Sequence, residues 1–276
     1  MIIDAILSPA ELPALVKRDL RDVVCVVFDV LRATSTFVTA LHNGAKVIIP
    51  VSEIAEALAI RQKQPDVLLG GERDGVKIRA RQTGGVDFDF GNSPREYTPE
   101  KVRGKTVVST TTNGTRALRA CTGAETVLAA SFLNLTATAK LIRQLQPAQI
   151  VLVCAGTREN RADEDVLAAG ALCELLIREG ETTGEPKKGK SSQHSGSRGC
   201  SPHQKDTCEL SDSAKIARRA YAEAKPDLAG AVCNSENARR LLSVPELRDD
   251  VSFCLQHDIY PLIARMESDG AIRMVR

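Results

Sequence analysis

The sequence VVCVVFDVLRATST at residues 23–36 contains the unit from which the rest of this 276-residue chain is built. Its first six residues are all apolar, which is typical of a strand buried on both faces of a sheet. A polar segment begins at Asp29 and leads into a helical pattern over residues 34–42. A buried strand, a polar loop and a helix in this order predict an α/β fold with parallel strands.

The same unit recurs along the chain and predicts a three-layer α/β/α sandwich with a mixed, largely parallel sheet. The N-terminal residues are interpreted as a first strand. Further strands are predicted at 23–28, 46–51, 66–69, 105–109, 126–130, 149–154, 251–255 and 271–275. Helices are predicted at 34–42, 53–62, 115–120, 136–145, 164–178, 211–224 and 237–242.

Residues 1–276 are expected to form one domain, built as a single unit or as two intertwined halves. Two segments interrupt the pattern of strands and helices. Residues 79–85 are polar with paired glycines and predict a loop tip. Residues 179–208 are rich in Gly, Ser, Lys and Thr and nearly lack aliphatic side chains, which predicts a flexible insertion between two helices.

Charge and composition exclude several classes of protein. The chain has 37 Lys+Arg and 35 Asp+Glu, and this balance argues against binding of nucleic acid through a basic surface. The aromatic content of 3% argues against a stacking platform for bases. The expected partner is a small anionic phosphorylated substrate rather than a nucleic acid or a membrane, and a homo-oligomer stays an open alternative.

The sequence also predicts a cytoplasmic protein. No charge-free apolar run reaches the roughly 18 residues of a membrane helix. The first residues carry an acid at Asp4 and no basic segment, unlike a signal peptide. Eight cysteines without such a peptide indicate reduced thiols, mostly buried as small apolar side chains.

Three short motifs match known patterns but lack the context that their chemistry requires. Residues 184–191 fit the Walker A pattern, yet no strand precedes them and no helix follows, so a nucleotide-dependent kinase is a minor alternative. The C-x5-R spacing of residues 233–239 is interpreted as a helix start capped by Asn234 or Ser235. A third cluster has the residue types of a zinc site without its usual spacing, and whether it binds metal is left open; it comprises His194, Cys200, His203 and Cys208.

Polar side chains recur where the predicted strands end, at the edge where open α/β sheets bind ligands. Hydroxyl groups and helix starts bind phosphate oxygens, arginines bind phosphate, carboxylate or sulfonate, and carboxylates are ligands that Mg²⁺ prefers. In chain order the polar residues are Asp29, Arg32, Thr34 and Ser35; Glu72 and Arg73; Thr111, Thr112, Asn113, Gly114 and Arg116; and Ser131. Each motif alone is equally well explained as a helix cap, but together they favour a site for a phosphorylated anion and a divalent metal.

Several of these stretches occur together in an order that resembles the 2-phosphosulfolactate phosphatase family. They are FDVLRATST at 28–36, GER at 71–73, DFGNSP at 89–94, TTTNGTR at 110–116 and VCAGT at 153–157. Glu164-Asp165 and LSDSA at 210–214 are similar to later motifs of the family. The longer segment at 79–85 and the insertion at 179–208 depart from the family pattern, and the first could reshape the pocket.

The resemblance implies a Mg²⁺-dependent phosphatase that converts phosphosulfolactate to sulfolactate and phosphate, a step of coenzyme M biosynthesis. The expected catalytic residues are Asp29, Arg32, Glu72, Arg73 and Arg116. The expected substrate and phosphate ligands are Thr34, Ser35, Asn92, Ser93, Thr111, Thr112, Asn113, Gly114 and Ser131. The expected metal ligands are Asp29 with Glu72 or with Glu164 and Asp165.

Two alternatives to this mechanism stay open. Water attack is the first choice, because an aspartyl-phosphate at Asp29 normally has a second acid two residues later, where this chain has Leu31. The same anion site could also belong to a binding or sensor protein without catalysis. Release of phosphate from the substrate distinguishes an enzyme from a sensor.

Overall fold

A computed structural model describes residues 1–178 and 208–275 of the chain. Most of the predicted insertion lies outside these residues. The Walker-like segment, His194, Cys200 and His203 are therefore not described, and the flexibility of the insertion stays a prediction. Cys208, the last member of the predicted metal cluster, is described and is partly buried.

Eleven strands of the described chain form one mixed sheet in the order β5-β4-β6-β3-β11-β10-β7-β2-β8-β1-β9. Their bounds are β1 Ile2–Ile6, β2 Val23–Phe28, β3 Val47–Pro50, β4 Leu68–Arg73, β5 Val76–Lys77, β6 Thr106–Thr110, β7 Thr126–Ala130, β8 Gln149–Cys154, β9 Glu209–Leu210, β10 Ile263–Met266 and β11 Ile272–Val275.

Twelve α-helices of the described residues connect or flank these strands. They are α1 Leu12–Leu15, α2 Ala33–His42, α3 Ile54–Lys63, α4 Ala80–Thr83, α5 Pro99–Val102, α6 Gly114–Ala120, α7 Leu135–Leu145, α8 Asp163–Arg178, α9 Asp212–Ala224, α10 Leu228–Cys233, α11 Glu236–Leu242 and α12 Arg248–Cys254. The predicted sandwich, with helices on both faces of a largely parallel sheet, is confirmed.

Strand β2 is buried on both faces of the sheet, which explains its unbroken apolar sequence. Alternate side chains of a strand point to opposite faces of the sheet. Val24 and Val26 pack in a core formed with α7, α8 and α9, whereas Cys25 and Val27 pack in a second core formed with α1, α2 and α6. Both faces of β2 are therefore covered by helices.

The sheet consists of two parallel blocks joined by an antiparallel hairpin. Strands β7, β2, β8 and β1 form one block, β3, β6 and β4 form the other, and β10–β11 lies between them. Strand pairing makes the two blocks locally antiparallel, so a flat sheet would separate their carboxyl ends. Strand twist of about 20–25° per pair accumulates to roughly 120–150° from β2 to β4, which turns the blocks toward a common direction.

Helix α2 lies inside this twisted sheet. Its residues from Ala33 to Leu41 are all buried, and the helix contacts β7, β10, β11 and β3. The amino end of α2 follows β2 directly, so it brings the end of β2 toward the ends of β4 and β6 in the other block. The ends of β2, β4 and β6 can therefore share one crevice, as predicted, only because the sheet is twisted.

The predicted strand at 251–255 is wrong. These residues belong to α12, in which Val251 and Cys254 are buried at helical spacing. Asp250 is also buried, one residue earlier. The segment at 79–85 contains one helical turn, α4, which ends at Gly84 in the left-handed conformation. The predicted helix start at residues 233–239 is confirmed, because the Ser235 hydroxyl accepts a hydrogen bond from the N–H of Ala238.

Among residues 1–178 and 208–275, no helix combines the length and the apolar character that crossing a bilayer requires.

Candidate active site

An open cleft lies where the ends of β2, β4, β6 and β8 meet helix α11. Of the predicted site residues, it brings together Asp29, Arg32, Glu72, Asn92, Thr112 and Asn113. Leu31, Asp74, Gly75, Thr157, Arg158, Asn237, Arg240 and Leu241 complete its lining.

Asp29 is held at the start of helix α2 by backbone groups. Its Oδ1 accepts a hydrogen bond from the N–H of Ala33 at 3.0 Å, and the hydroxyl of Thr34 bonds to the Asp29 backbone. A Cβ at Gly114 would lie 2.7 Å from Asp29 Oδ2 and 2.6 Å from the Ala33 Cβ. Glycine at position 114 therefore allows the β6–α6 turn to approach the carboxylate.

Glu72 is fixed in the cleft by the hairpin that joins β4 and β5. Its Oε1 accepts from the N–H of Thr112 at 2.8 Å, and its Oε2 accepts from the N–H of Gly75 at 2.7 Å. Asp74 and Gly75 are the two loop residues, with φ of 54° and 80°. This Asp-Gly turn is the type expected for a tight hairpin.

Arg32 lies at the base of the cleft in a nearly fully buried ion pair. Its Nη1 donates to Asp250 Oδ2 at 2.8 Å, and its Nη2 donates to the Gly75 carbonyl at 2.7 Å. The other oxygen of Asp250 accepts from the hydroxyl of Ser93 at 2.7 Å. The orientation of Arg32 is therefore determined by α12 on one side and the β4–β5 hairpin on the other.

A connected row of polar side chains also lines the cleft. Asn237 Nδ2 donates to Thr157 Oγ1 at 2.6 Å and to Glu164 Oε1 at 2.7 Å, and Asn237 Oδ1 accepts from Arg240 at 3.2 Å. Arg158 lies beside Thr157 in the turn that follows β8. This row also borders a second polar cleft, which contains Glu164.

Three acidic side chains near the cleft have raised pKa values. The pKa of Asp29 is raised from 3.8 to about 7, chiefly by burial and also by the negative charges of Glu72 and Glu164, against the opposing effects of the Ala33 N–H and of Arg32. Burial also raises the pKa of Glu164 and, more strongly, that of Asp165. Ionised forms of these carboxyls are therefore costly unless a cation or a proton compensates them.

Asp165 and Glu164, both predicted as metal ligands, lie in different environments. The two oxygens of Asp165 accept from the N–H groups of Val30 and Gly156 at 2.7 and 3.0 Å, so this carboxylate joins the loops that follow β2 and β8. Glu164 is 1% exposed, and its Oε2 is buried without a hydrogen-bond partner.

Several hydroxyl groups predicted to bind phosphate form hydrogen bonds within the protein. Ser35 donates to the Val30 carbonyl at 2.8 Å, and Thr111 accepts from the N–H of Thr115 at 3.2 Å. Ser131 is fully buried and caps the turn before α7. Together with Thr34 and Ser93, described above, these side chains build the loops around the cleft, in agreement with the helix-cap interpretation of such motifs.

Two of the predicted catalytic arginines do not line the cleft. Arg73 donates to the carbonyls of Glu72 and Ser52 and to the hydroxyl of Thr110. Arg116 forms an exposed ion pair with Glu159 at 2.7 Å. Neither arginine is among the residues that line the cleft.

Residues 10–269 match a protein family described as 2-phosphosulpholactate phosphatase. The chain belongs to this family. It is 37% identical to a probable 2-phosphosulfolactate phosphatase of Thermotoga petrophila over 86% of each chain. It is 33% identical to one of Clostridium acetobutylicum over 95% of this chain and 96% of that one. A relative from Caldanaerobacter subterraneus is 47% identical, with 64% of its length matched.

Membership of the 2-phosphosulfolactate phosphatase family confirms the predicted enzyme class, a phosphoric monoester hydrolase. The match spans both strand blocks of the sheet, since it extends from α1 to the turn between β10 and β11.

Sequence reasoning missed several polar residues of the cleft and the buried carboxylate of Asp250, which orients Arg32 there. Asp250 was placed beside a predicted strand, so its burial against Arg32 was not anticipated. Asn237 and Arg240 lie at i,i+3 spacing on one face of α11, which was predicted as a helix without a function. The predicted site residues do not include Arg158, which directly follows the VCAGT stretch at 153–157.

The donor set of the cleft is compatible with Mg²⁺. Among the described residues, no three His, Cys, Asp or Glu side chains converge on one ion position. Mg²⁺ does not require them, because it usually binds one or two carboxylates and completes its shell with waters and substrate phosphate. Asp29 and Glu72 supply two carboxylates, and the buried Oδ1 of Asn92, which has no partner, supplies a third hard oxygen.

Proposed function

We propose that this protein is a cytoplasmic, Mg²⁺-dependent phosphatase that hydrolyses 2-phospho-3-sulfolactate to 3-sulfolactate and phosphate, as in coenzyme M biosynthesis. The observation that carries the proposal is the joint position of two buried carboxylates, Asp29 and Glu72, and the guanidinium groups of Arg32, Arg158 and Arg240 in one cleft. Family membership supports the same reaction. A substrate with phosphate, sulfonate and carboxylate on three carbons requires this combination of cation-binding and cationic groups.

Asp29 and Glu72 would hold the metal ion, with Asn92 within the same cleft. Bound Mg²⁺ supplies charge neutralisation at the phosphoryl oxygens and so permits attack on phosphorus. The backbone bonds to both carboxylates fix them in advance, which reduces the reorganisation needed when the substrate enters.

Arg32 stabilises negative charge on the phosphoryl group. Its two bonds to Asp250 and to the Gly75 carbonyl leave further N–H groups of the guanidinium for the substrate. Because this arginine is already oriented, its interaction with the transition state carries little additional entropic cost.

Asp29 Oδ2 and Asn92 Oδ1 act as acceptors for the attacking water. Neither oxygen has a hydrogen-bond partner among the described residues. A water that donates to both would be oriented with a lone pair free for attack. An aspartyl-phosphate at Asp29 stays the alternative, and capture with hydroxylamine after mixing with substrate distinguishes it from direct water attack.

Phosphate release from 2-phosphosulfolactate, with Mg²⁺ and with a chelator, tests the proposal. We expect Asp29→Asn to lower kcat by at least about 100-fold without unfolding the protein, since it removes a ligand and an acceptor. Chelation should abolish turnover, and added Mg²⁺ should restore it. Full activity of the variant or of the chelated enzyme would contradict the assigned mechanism.

A sensor without catalysis would bind sulfolactate and phosphosulfolactate in the same cleft but release no phosphate. A nucleotide-dependent kinase would instead show stabilisation by ATP that is lost when residues 181–205 are deleted. The phosphatase proposal requires neither ATP nor that segment.

A further inference from the structure

Helix α11 borders the cleft with the side chains of Asn237, Arg240 and Leu241. The helix has seven residues, so its place in the protein depends on tertiary contacts rather than on its own stability. Ala238 and Leu241 are buried in the core that also contains residues of α8 and α9. Apolar burial has no preferred direction, so the polar side chains of α11 require directional contacts to hold one orientation.

The side-chain amide of Asn237 supplies these contacts. Its Nδ2 donates to Thr157 Oγ1 at 2.6 Å and to Glu164 Oε1 at 2.7 Å. Both acceptors belong to buried residues, since Thr157 is 4% exposed and Glu164 is 1% exposed. The Oδ1 of the same amide accepts from Arg240 Nη2 at 3.2 Å. One amide therefore connects the turn after β8, the first turn of α8 and a guanidinium group of the cleft.

Although Asn237 lines the cleft, its own groups are unsuited to an anionic ligand. A side-chain amide has two N–H donors, and here these serve Thr157 and Glu164. The other polar atom is a carbonyl oxygen, which an anion would repel. An effect of Asn237 on an anionic substrate must therefore pass through a neighbouring side chain.

Arg240 is that neighbour, because it lies next to the groups that would carry out the reaction. Its Cδ and Nη1 lie 3.7 and 3.9 Å from the position of a Cβ at Gly75, so the side chain packs against the β4–β5 hairpin. The backbone of Gly75 bonds to both Glu72 and Arg32. A guanidinium group has five N–H donors, and one bond to α11 leaves others for a ligand. The acidic neighbour Glu236 is 3.8 Å away and 57% exposed, so solvent weakens that ion pair.

We propose that Asn237 is a positioning residue of the reaction, which holds the guanidinium group of Arg240 against the hairpin for binding of the anionic substrate. The proposal depends on the proposed phosphatase function. Without the amide, Arg240 would occupy several rotamers, and binding would have to order the side chain each time, at a cost in affinity. Asp29, Glu72 and Arg32 are held by contacts that do not include Asn237, so the chemical step should be little affected.

Steady-state kinetics with 2-phosphosulfolactate tests this role by separating KM from kcat. For Asn237→Ala we expect KM to rise by about five- to tenfold, the cost of ordering one long side chain, while kcat changes by less than about threefold. A variant that is only destabilised contains less active enzyme, so its apparent kcat would fall at an unchanged KM. That result would overturn the proposal.

A double-mutant cycle shows whether Asn237 acts through Arg240. Arg240→Gln alone should raise KM by about 10- to 100-fold, the effect of losing a hydrogen bond to a charged group. Adding Asn237→Ala to that variant should raise KM by no more than about twofold, because the side chain that the amide positions is no longer present. Additive effects would overturn the proposal, and so would a wild-type KM in Arg240→Gln.

Asn237→Gln keeps the test decisive if the alanine variant does not fold. The longer side chain retains an amide that can pair with Glu164, but it displaces the oxygen that orients Arg240. We expect a folded protein with a raised KM, and a wild-type KM would contradict a role in positioning.

Asn234→Ala is the matched control, since it makes the same substitution three residues earlier. The amide of Asn234 is exposed, donates to the Gly230 carbonyl at 3.0 Å and does not line the active-site cleft. This variant should leave both KM and kcat unchanged. An equal rise of KM in Asn234→Ala and Asn237→Ala would overturn the proposal.

Calorimetric binding of 3-sulfolactate and of inorganic phosphate, the two proposed products, separates this proposal from the phosphatase function. We expect the affinity for at least one of them to decrease in Asn237→Ala and to show the same non-additive pattern with Arg240→Gln. That pattern without phosphate release by the wild-type protein would contradict the phosphatase and retain the role of Asn237. Phosphate release with a wild-type KM in Asn237→Ala would retain the phosphatase and contradict that role.

Discussion

What a residue of the cleft can bind depends on its surroundings more than on its residue type. Asp29 and Asp165 are both buried carboxylates, but backbone N–H groups occupy both oxygens of Asp165 and only one oxygen of Asp29. The remaining oxygen gives Asp29 the capacity to bind a ligand. A count of acidic residues in a motif cannot distinguish these two situations.

Gly114→Ala should impair the enzyme through Asp29. The new methyl group would lie 2.7 Å from Asp29 Oδ2 and 2.6 Å from the Ala33 Cβ, so the turn after β6 must move away from the start of α2. We expect a loss of about 1–3 kcal/mol in the free energy of unfolding, measured by urea titration, and a lower kcat.

Gly123→Ala is the control for this substitution, because nothing lies within 4 Å of the added methyl group. It should leave both the free energy of unfolding and kcat nearly unchanged. If the two variants behave alike, the close approach of position 114 to Asp29 is not functionally relevant.

At the scale of elements, helix α12 supports the cleft through one carboxylate. Asp250 bonds to Arg32 and Ser93, which lie in the loops after β2 and before α5. Asp250→Asn should destabilise the protein by about 3–5 kcal/mol, since it leaves Arg32 as a buried charge without its counterion. Thermal unfolding gives the stability, and kcat should fall because Arg32 loses its orientation.

The neighbouring residue provides the matched control. Asp249 is 64% exposed, and its ion pair with Arg95 spans 3.2 Å at the surface. Asp249→Asn should therefore change the free energy of unfolding by no more than about 0.5–1 kcal/mol. A similar loss in both variants would mean that α12 is stabilised by general charge effects rather than by the buried pair.

The elements that sequence patterns predict well are those with strong local signals. Strands β2, β7 and β8 begin and end at the predicted residues, because each is a short buried run bounded by polar segments and followed by a helical pattern. The segment at 251–255 failed because five residues are too few to separate a strand from a helix by periodicity. Arg73 and Arg116 are not among the residues that line the cleft, since the order of residues after a strand does not determine where each side chain lies, and their catalytic role stays a prediction.

At the scale of the whole molecule, the buried carboxylates couple stability to pH. The folded-state pKa of Asp29, about 7, exceeds its ordinary value of 3.8, and the pKa values of Glu164 and Asp165 are also raised. The folded protein therefore binds more protons than the unfolded chain between about pH 4 and 7, so its stability falls as pH rises through this range.

We expect the melting temperature in chelator to decrease from about pH 5 to pH 7.5, and this decrease to be smaller in Asp29→Asn. Carboxylates with lowered pKa values, such as Asp19 and Asp269, have the opposite effect but lose protons below this range. Added Mg²⁺ should reduce the decrease by compensating the ionised cluster. A melting temperature that rises with pH in chelator would contradict the raised pKa values.

The enclosed position of helix α2 has a consequence for how the chain reaches its folded state. Residues 33–41 leave the ribosome long before β10 and β11, the hairpin that covers them between the two strand blocks. Until that hairpin is in place, a helix that is buried from Ala33 to Leu41 in the folded protein is open to solvent, together with the carboxylate at its amino end. Folding of the candidate active site is therefore expected to be late, and the nascent chain is expected to expose apolar surface until residues 263–275 have been synthesised.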